Sequence, residues 1–253
     1  MDLAERVSTL RRVNALSARQ LAALVDVAPT TVTRIEGGQV SPSFDLAQEI
    51  LAVLGEPIGF TGAADVSAIA AARLAVHPAL DIAMTPGAEV WQQRWARIGL
   101  IDARSQVVAG KDADLLFRAG RVARLTRRPG AVEFKAGPTA YDVADALSKA
   151  SIDYAVTGDT GVNLYRSSAG EAWPVLYVED AERAAQVAGL IRKEPGSFGM
   201  RVTLIPFDGV SEVGRTSIKG VAVAARDQVV IDAYGGIDRM AEQADILVGR
   251  RVT

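Results

Sequence analysis

The chain has 253 residues, 49% of them apolar, and a formal net charge of −2 at pH 7, which allows one to three domains with real hydrophobic cores. It contains no cysteine, which excludes disulfides and thiolate metal sites and fits a reducing, cytoplasmic setting. No stretch approaches the roughly twenty uninterrupted apolar residues that a membrane span needs, the opening MDLAERVSTLRR lacks the apolar run of a signal peptide, and no internal repeat or low-complexity tract appears.

The first predicted elements form a compact helical bundle. Leu3, Val7 and Leu10 fall at i, i+4 and i+7, giving helix 1 one apolar stripe. Ser17 can cap helix 2, whose buried face is Leu21, Ala22, Leu24 and Val25. Asp26-Val27 makes a tight turn, with Val27 pointing inward. Pro29 suits the first position of helix 3, where Val32 and Ile35 face the core and Thr30, Thr31, Thr33 and Arg34 face outward. Gly37-Gly38 ends that helix. Ser43 caps a fourth helix carrying Phe44, Leu46, Ala47, Ile50, Leu51 and Leu54, which closes the core before Gly55 and Pro57.

Two short helices joined by such a turn exist mainly to place the second in the DNA major groove. The order Leu16-Ser17, Leu21-Ala22, Val27, Thr31-Val32-Thr33-Arg34-Ile35-Glu36, Gly38, Pro42-Ser43 resembles the lambda-repressor-like, or XRE-type, helix-turn-helix family over about the first 58 residues. The resemblance implies double-stranded operator DNA as partner. It assigns base or phosphate contacts to Thr30, Thr31, Thr33 and Arg34, and backbone contacts to Arg19, Gln20 and Gln39. It also implies a homodimer on a near-palindrome, the alternative being a monomer with two DNA-binding units on an asymmetric site. Three positions depart from the pattern: Ala18 stands where a glutamine is common, Asp26 where the turn is usually glycine, and Ala28 where serine caps helix 3. Arg19 or Gln20 then takes over the glutamine contact. Glu36 reads as a structural partner inside the bundle.

The middle of the chain is its basic part. Residues 1–60 hold five Arg and seven acids, residues 89–135 ten Lys or Arg against five acids, and residues 136–253 twelve against sixteen. An alanine-rich helix runs from Ala63 to Val76, and His77, the single histidine, has no companion ligand. Glu89 to Ile98 forms a helix with Val90, Trp91, Trp95 and Ile98 on one face. Asp112 starts a helix to Ala123 that buries Leu115, Leu116, Ala119 and Val122 and turns Arg118, Arg121 and Arg124 outward. Arg127-Arg128-Pro129-Gly130 is a basic turn, and Ala131 to Ala136 alternates like an edge strand. Helix, basic turn and strand together predict a winged-helix-like segment that sets Arg124, Arg127 and Arg128 on phosphate. The alternative is a solvated basic face.

The last part alternates strands and helices, which predicts an α/β domain. Thr139 caps a helix with Asp142 as its capping-box partner. Strands are expected at 152–157, 174–178, 201–207 and 221–224. A helix capped by Asp180 is expected to run to Lys193, and two more helices cover 227–236 and 237–248. Asp153, Asp159 and Glu171 read as turn or surface acids, Gly158 and Gly161 as turn glycines, and Asp232 and Asp238 as helix-surface or cap residues. The strings YAVTGDTGVNLY, VLYVED, VAVAARDQVVIDAYGG and RMAEQAD resemble the C-terminal domain of AbiEi-type antitoxins of type IV toxin–antitoxin systems. That resemblance implies a repressor of its own operon with a nucleotidyltransferase toxin as partner.

The expected architecture is therefore multidomain α and α/β: a helix-turn-helix bundle at 1–60, a helical, winged-helix-like connector at 61–136 and a mixed-sheet α/β domain at 137–253. No cofactor, metal or catalytic group is implied. A stand-alone regulator whose C-terminal domain dimerises or senses a ligand is the second reading. A nucleotidyltransferase-like enzyme is the third. It would need two carboxylates two apart on the strand after TGDTGVNLY, and WPVLYVED has no acid in its interior.

Overall fold

The computed structural model describes residues 2–56, 64–166, 173–194, 201–236 and 239–249. The chain divides into two compact units, one of residues 1–78 and 84–123, the other of residues 79–83 and 124–253. The segment 61–136, expected to be a helical connector, contributes to both units.

The first unit is all helical: α1 (Leu3–Val13), α2 (Ala18–Leu24), α3 (Pro29–Glu36), α4 (Phe44–Val53), α5 (Ser67–Val76), α6 (Pro86–Arg97) and α7 (Asp112–Val122). Its core contains Val7, Leu21, Ala22, Val32, Ile35, Ile50 and Leu54 from the predicted bundle. Phe44 was expected in that core but is 68% exposed, because it sits at the first residue of α4, ahead of the stripe formed by Ala47, Ile50, Leu51 and Leu54. Trp91 and Trp95 of α6 are buried with centroids 5.4 Å apart, so they serve packing within the unit. The Arg118 Nη1 donates to the Asn14 carbonyl at 3.2 Å, tying α7 to the end of α1. Arg118 and Arg121, expected on an outer face, are half-buried. The α-helical support therefore extends well past the predicted boundary at 60.

The second unit is a mixed six-stranded sheet with helices. Its strands are β1 (Val132–Lys135), β2 (Tyr154–Thr157), β3 (Val175–Val178), β4 (Arg201–Pro206), β5 (Thr216–Ile218) and β6 (Val221–Val223), in the order β1-β4-β3-β2-β6-β5. β3 runs parallel to β4 and β2 parallel to β6, while the other three pairings are antiparallel. Every residue of β2 and β3 is buried, as expected for strands covered on both faces. The helices are α8 (Ala140–Lys149), α9 (Gly158–Tyr165), α10 (Ala181–Val187), α11 (Arg226–Gly235) and α12 (Met240–Val248). The Thr139–Asp142 capping box forms as predicted.

Two sequence expectations are corrected here and one strand is new. The basic turn leads into no wing: β1 pairs with β4 in the large sheet, Val132 opposite Leu204, whereas a wing needs its own hairpin. The helix after Asp180 stops at Val187. Gly189 takes a left-handed φ of +63°, and the chain then lies along β1, with Lys135 N–H donating to Ile191 at 2.8 Å and Lys193 N–H to Glu133 at 3.0 Å. β5 was not anticipated. It pairs with β6 across Lys219-Gly220, both at positive φ, the two-residue turn that suits strand twist.

Candidate nucleic-acid interface

The helix-turn-helix is α2, the turn at 25–28, and α3. Ser17 accepts from the Gln20 N–H at 3.1 Å while Gln20 Oε1 accepts from the Ser17 N–H at 2.9 Å, a complete capping box. Asp26 takes φ +55°, the left-handed conformation for which glycine is the unstrained residue. The Val27 N–H closes the turn on the Ala22 carbonyl at 3.0 Å, and Val27 is half-buried. α3 starts at Ala28 with no side-chain cap and Pro29 in its first turn. It ends with Gly38 N–H on Ile35 at 3.0 Å and Gln39 N–H on Arg34 at 2.9 Å, with Gly38 at φ +67°. That double bond is the Schellman closure.

With Val32 and Ile35 fully buried, the opposite side of α3 is fixed. Thr30, Thr33 and Arg34 are exposed there and Thr31 is half-buried. The Thr33 hydroxyl donates back to the Pro29 carbonyl at 3.2 Å, which leaves its lone pairs outward. Arg19 at the start of α2 and Gln39 just past α3 are exposed as well. Gln20 is half-buried, its carbonyl oxygen occupied by Ser17, so only its amide nitrogen can turn outward. Among the described residues neither Arg19 nor Arg34 makes an ion pair, whereas Arg6 pairs with Glu56 and Arg11 with Glu36. The Arg11 guanidinium is bidentate to Glu36 at 2.6 and 2.9 Å and also donates to the Leu16 carbonyl. That hydrogen bond to Glu36 holds the Arg11 pKa above its ordinary value. Glu36 thus binds α3 to α1 and is not a base reader.

The remaining candidates lie in the second unit. Arg127 is exposed and Arg124 half-buried. Arg128 is turned inward: its side chain is 1% exposed and Nη2 donates to Asp232 Oδ1 at 2.6 Å. It is therefore not placed as a phosphate contact, since burial against Asp232 outweighs the surface position that its turn suggested.

Asp232, expected on a helix surface, is the centre of a buried cluster. Besides Arg128 it accepts from Thr157 Oγ1 at 2.6 Å, from the Tyr177 hydroxyl at 2.9 and 3.0 Å and from Gln228 Nε2 at 3.0 Å. Burial pushes the Asp232 carboxyl up from its ordinary range, and Arg128 and the three neutral donors pull against it. Burial likewise pushes the Tyr177 phenol well above its usual value. Asp159 is also buried, on α9, and is no surface acid. Gly158 does open α9 at φ +60°, but Gly161 lies inside the helix. A Cβ there would meet Val229 side-chain carbons at 3.0 and 3.1 Å, so that glycine permits α9 to approach α11. Asp153 is exposed and pairs with Arg215 at 2.7 Å. Glu171 and Asp238 lie outside the described residues. Buried polar clusters of this kind leave little signal in sequence. The available hint was the apolar run around Asp232 in QVVIDAY.

The bundle and its outward face define a helix-turn-helix DNA-binding transcriptional regulator. Residues 10–60 match the family profile described as Helix-turn-helix, which agrees with the XRE-type head. No curated protein and no solved structure matches the chain. Among the described residues no helix is long and apolar enough to cross a membrane and no group of side chains is assembled as a metal site.

Proposed function

We propose that this regulator is the autoregulating antitoxin of a type IV toxin–antitoxin pair, acting in the cytoplasm. The head represses its own two-gene operon as a homodimer, and the partner gene encodes a nucleotidyltransferase toxin. The observation that supports the antitoxin reading is the convergence of separate strings on one cluster. Thr157 belongs to YAVTGDTGVNLY, Tyr177 to VLYVED, and Gln228 and Asp232 to VAVAARDQVVIDAYGG. Thr157, Tyr177 and Gln228 all donate to the Asp232 carboxylate, so three of the resembling strings contribute to one buried core. The chain itself acts without catalysis. Two metal-binding carboxylates on one strand face would be needed for nucleotidyl transfer, while Leu176 and Tyr177 fill the middle of β3 and Asp180 is spent capping α10.

The test is co-expression with the neighbouring gene, together with binding of labelled DNA from upstream of the chain's own gene. Growth arrest relieved by the chain, with preference for the upstream DNA, supports the proposal. Preferential binding without any toxic neighbour replaces it with the stand-alone regulator. The exposed apolar side chains of Tyr141, Val187 and Ile191 favour a dimerising second unit in that case, which sedimentation of the full chain would register. Magnesium-dependent incorporation of labelled nucleotide would overturn the non-catalytic reading.

A further inference from the structure

We propose that Arg97, on α6 and outside the segment that matches the helix-turn-helix profile, is a phosphate-binding residue of the DNA interface, held in place by Asp26 until DNA arrives. The inference rests on the DNA-binding reading of the head. A recognition helix enters the major groove with its N-terminal residues against the base edges. A helix with side chains measures about 10–12 Å across and the groove about 12 Å, so groups beside the entering end face the phosphates on the groove walls. Asp26 is such a group. It stands two residues before the Ala28 N-cap of α3, and its side chain is 82% exposed. A lone carboxylate at that point opposes DNA.

It is not alone. Arg97 Nη2 lies 3.7 Å from Asp26 Oδ2, with the arginine side chain 43% exposed. That distance is an ion pair without a hydrogen bond, in solvent, where such pairs are weak and readily exchanged for a stronger anion. The arginine is nevertheless well positioned. α6 is fixed in the same unit as the head by the buried Trp91 and Trp95, by Trp91 Nε1 on Asp65 at 2.7 Å, and by Arg94, which pairs with Glu49 at 2.7 Å and lies over the Trp91 ring. Arg97 is one turn further on, at the end of α6 beside the α2–α3 turn. As a phosphate approaches, the guanidinium moves from Asp26 to the phosphate, or bridges the two. The carboxylate then serves as a holder that keeps the arginine at the groove rim, which gives a role to an acid occupying a left-handed turn position.

The test is a fluorescence-anisotropy titration of the full chain on two labelled duplexes, the DNA upstream of its own gene and a scrambled version, from about 50 to 200 mM salt. Removing one phosphate contact lowers the slope of log affinity against log salt by about 0.9. Arg97→Ala should therefore weaken both duplexes alike, and its deficit should shrink about 3-fold across that salt range. Arg97→Lys should restore the slope and Arg97→Gln should not. Asp26→Asn, which keeps a residue tolerant of positive φ, should tighten both duplexes by removing the repelling charge and make Arg97→Ala less costly than in the wild type, where that substitution also uncovers the carboxylate. Unchanged melting temperatures confirm intact folding. The proposal is overturned if Arg97→Ala leaves slope and affinity unchanged while Arg34→Ala abolishes the preference for the upstream duplex. It is equally overturned if Arg97→Ala weakens only the upstream duplex, the mark of a base reader. Wild-type protein that binds neither duplex removes the DNA reading of the head and this inference with it.

Discussion

Replacing Arg128 by Ala should unfold the second unit well before the first. The substitution leaves Asp232, 0% exposed, without its cation, though Thr157, Tyr177 and Gln228 still donate to it. Removing one partner of a buried pair costs about 3–5 kcal/mol. At roughly 3–5 °C per kcal/mol for a unit of this size, the second unit's melting transition should fall by about 10–20 °C, while the helical unit's transition stays where it is. The pH dependence carries the sharper test. Burial raises the Asp232 carboxyl in the folded state, and losing Arg128 raises it further. A raised folded pKa means that the native state holds the proton more tightly than the unfolded chain. The associated stability is present below the unfolded pKa and is lost as pH rises through the folded pKa. The deficit of Arg128→Ala relative to wild type should therefore be larger at pH ~8 than at pH ~5. The double substitution Arg128→Met/Asp232→Leu should recover most of the loss, since apolar replacement of a buried pair is often neutral. Urea denaturation followed by circular dichroism measures all three. A deficit below about 1 kcal/mol at both pH values, or one larger at the acidic value, would refute this account of the cluster.

Other consequences follow from the same contacts. Arg34→Ala should cost about 1–3 kcal/mol on the preferred duplex and relax discrimination against scrambled DNA, read by the same titration. Glu36→Ala strands the half-buried Arg11 and should destabilise the helical unit by about 1–2 kcal/mol, measured by its own melting transition, with the second unit unaffected. The Asp142 carboxyl is held below its usual range by the Thr139 N–H and hydroxyl, so its stabilisation is present above the unfolded pKa and lost as pH falls through the folded value. Asp142→Asn should flatten the acid limb of the second unit's stability profile below pH ~4, and an unchanged limb would remove the capping box from that role.

Local rules carried the head. The capping serine, the apolar positions of α2 and α3 and the paired glycines each act within a few residues, so their meaning is written where they stand. Phe44 failed because helix-end geometry decides which of two neighbouring positions reaches the core. The second unit was legible as alternating elements but not as a pairing scheme. β1 joins β4 some seventy residues on, and nothing in VEFK or RVTLIP names its partner. Arg128 and Asp232 failed for a related reason. A charge in a turn or on a helix reads as surface, and only the fold brings Arg128 to a carboxylate 104 residues away.

The charge arrangement of the head bears on how it must find DNA. Of the five arginines in residues 1–60, Arg6 and Arg11 are committed to Glu56 and Glu36, and Arg12 donates to Ser8. Arg19 and Arg34 are left for phosphate or base. Two phosphate contacts give a salt slope of only about −1.8, shallow for an operator-binding protein, and non-specific affinity should be low to match. Such a head gains little from sliding on arbitrary sequence. It depends on base contacts at α3 and on cations supplied from outside the bundle such as Arg97, and the proposed homodimer would double both. A monomer would then be a weak binder at physiological salt, and in the proposed homodimer repression would switch on over the concentration range in which two copies associate. Under the proposed autoregulation, occupancy of the operator would then respond to the amount of protein present.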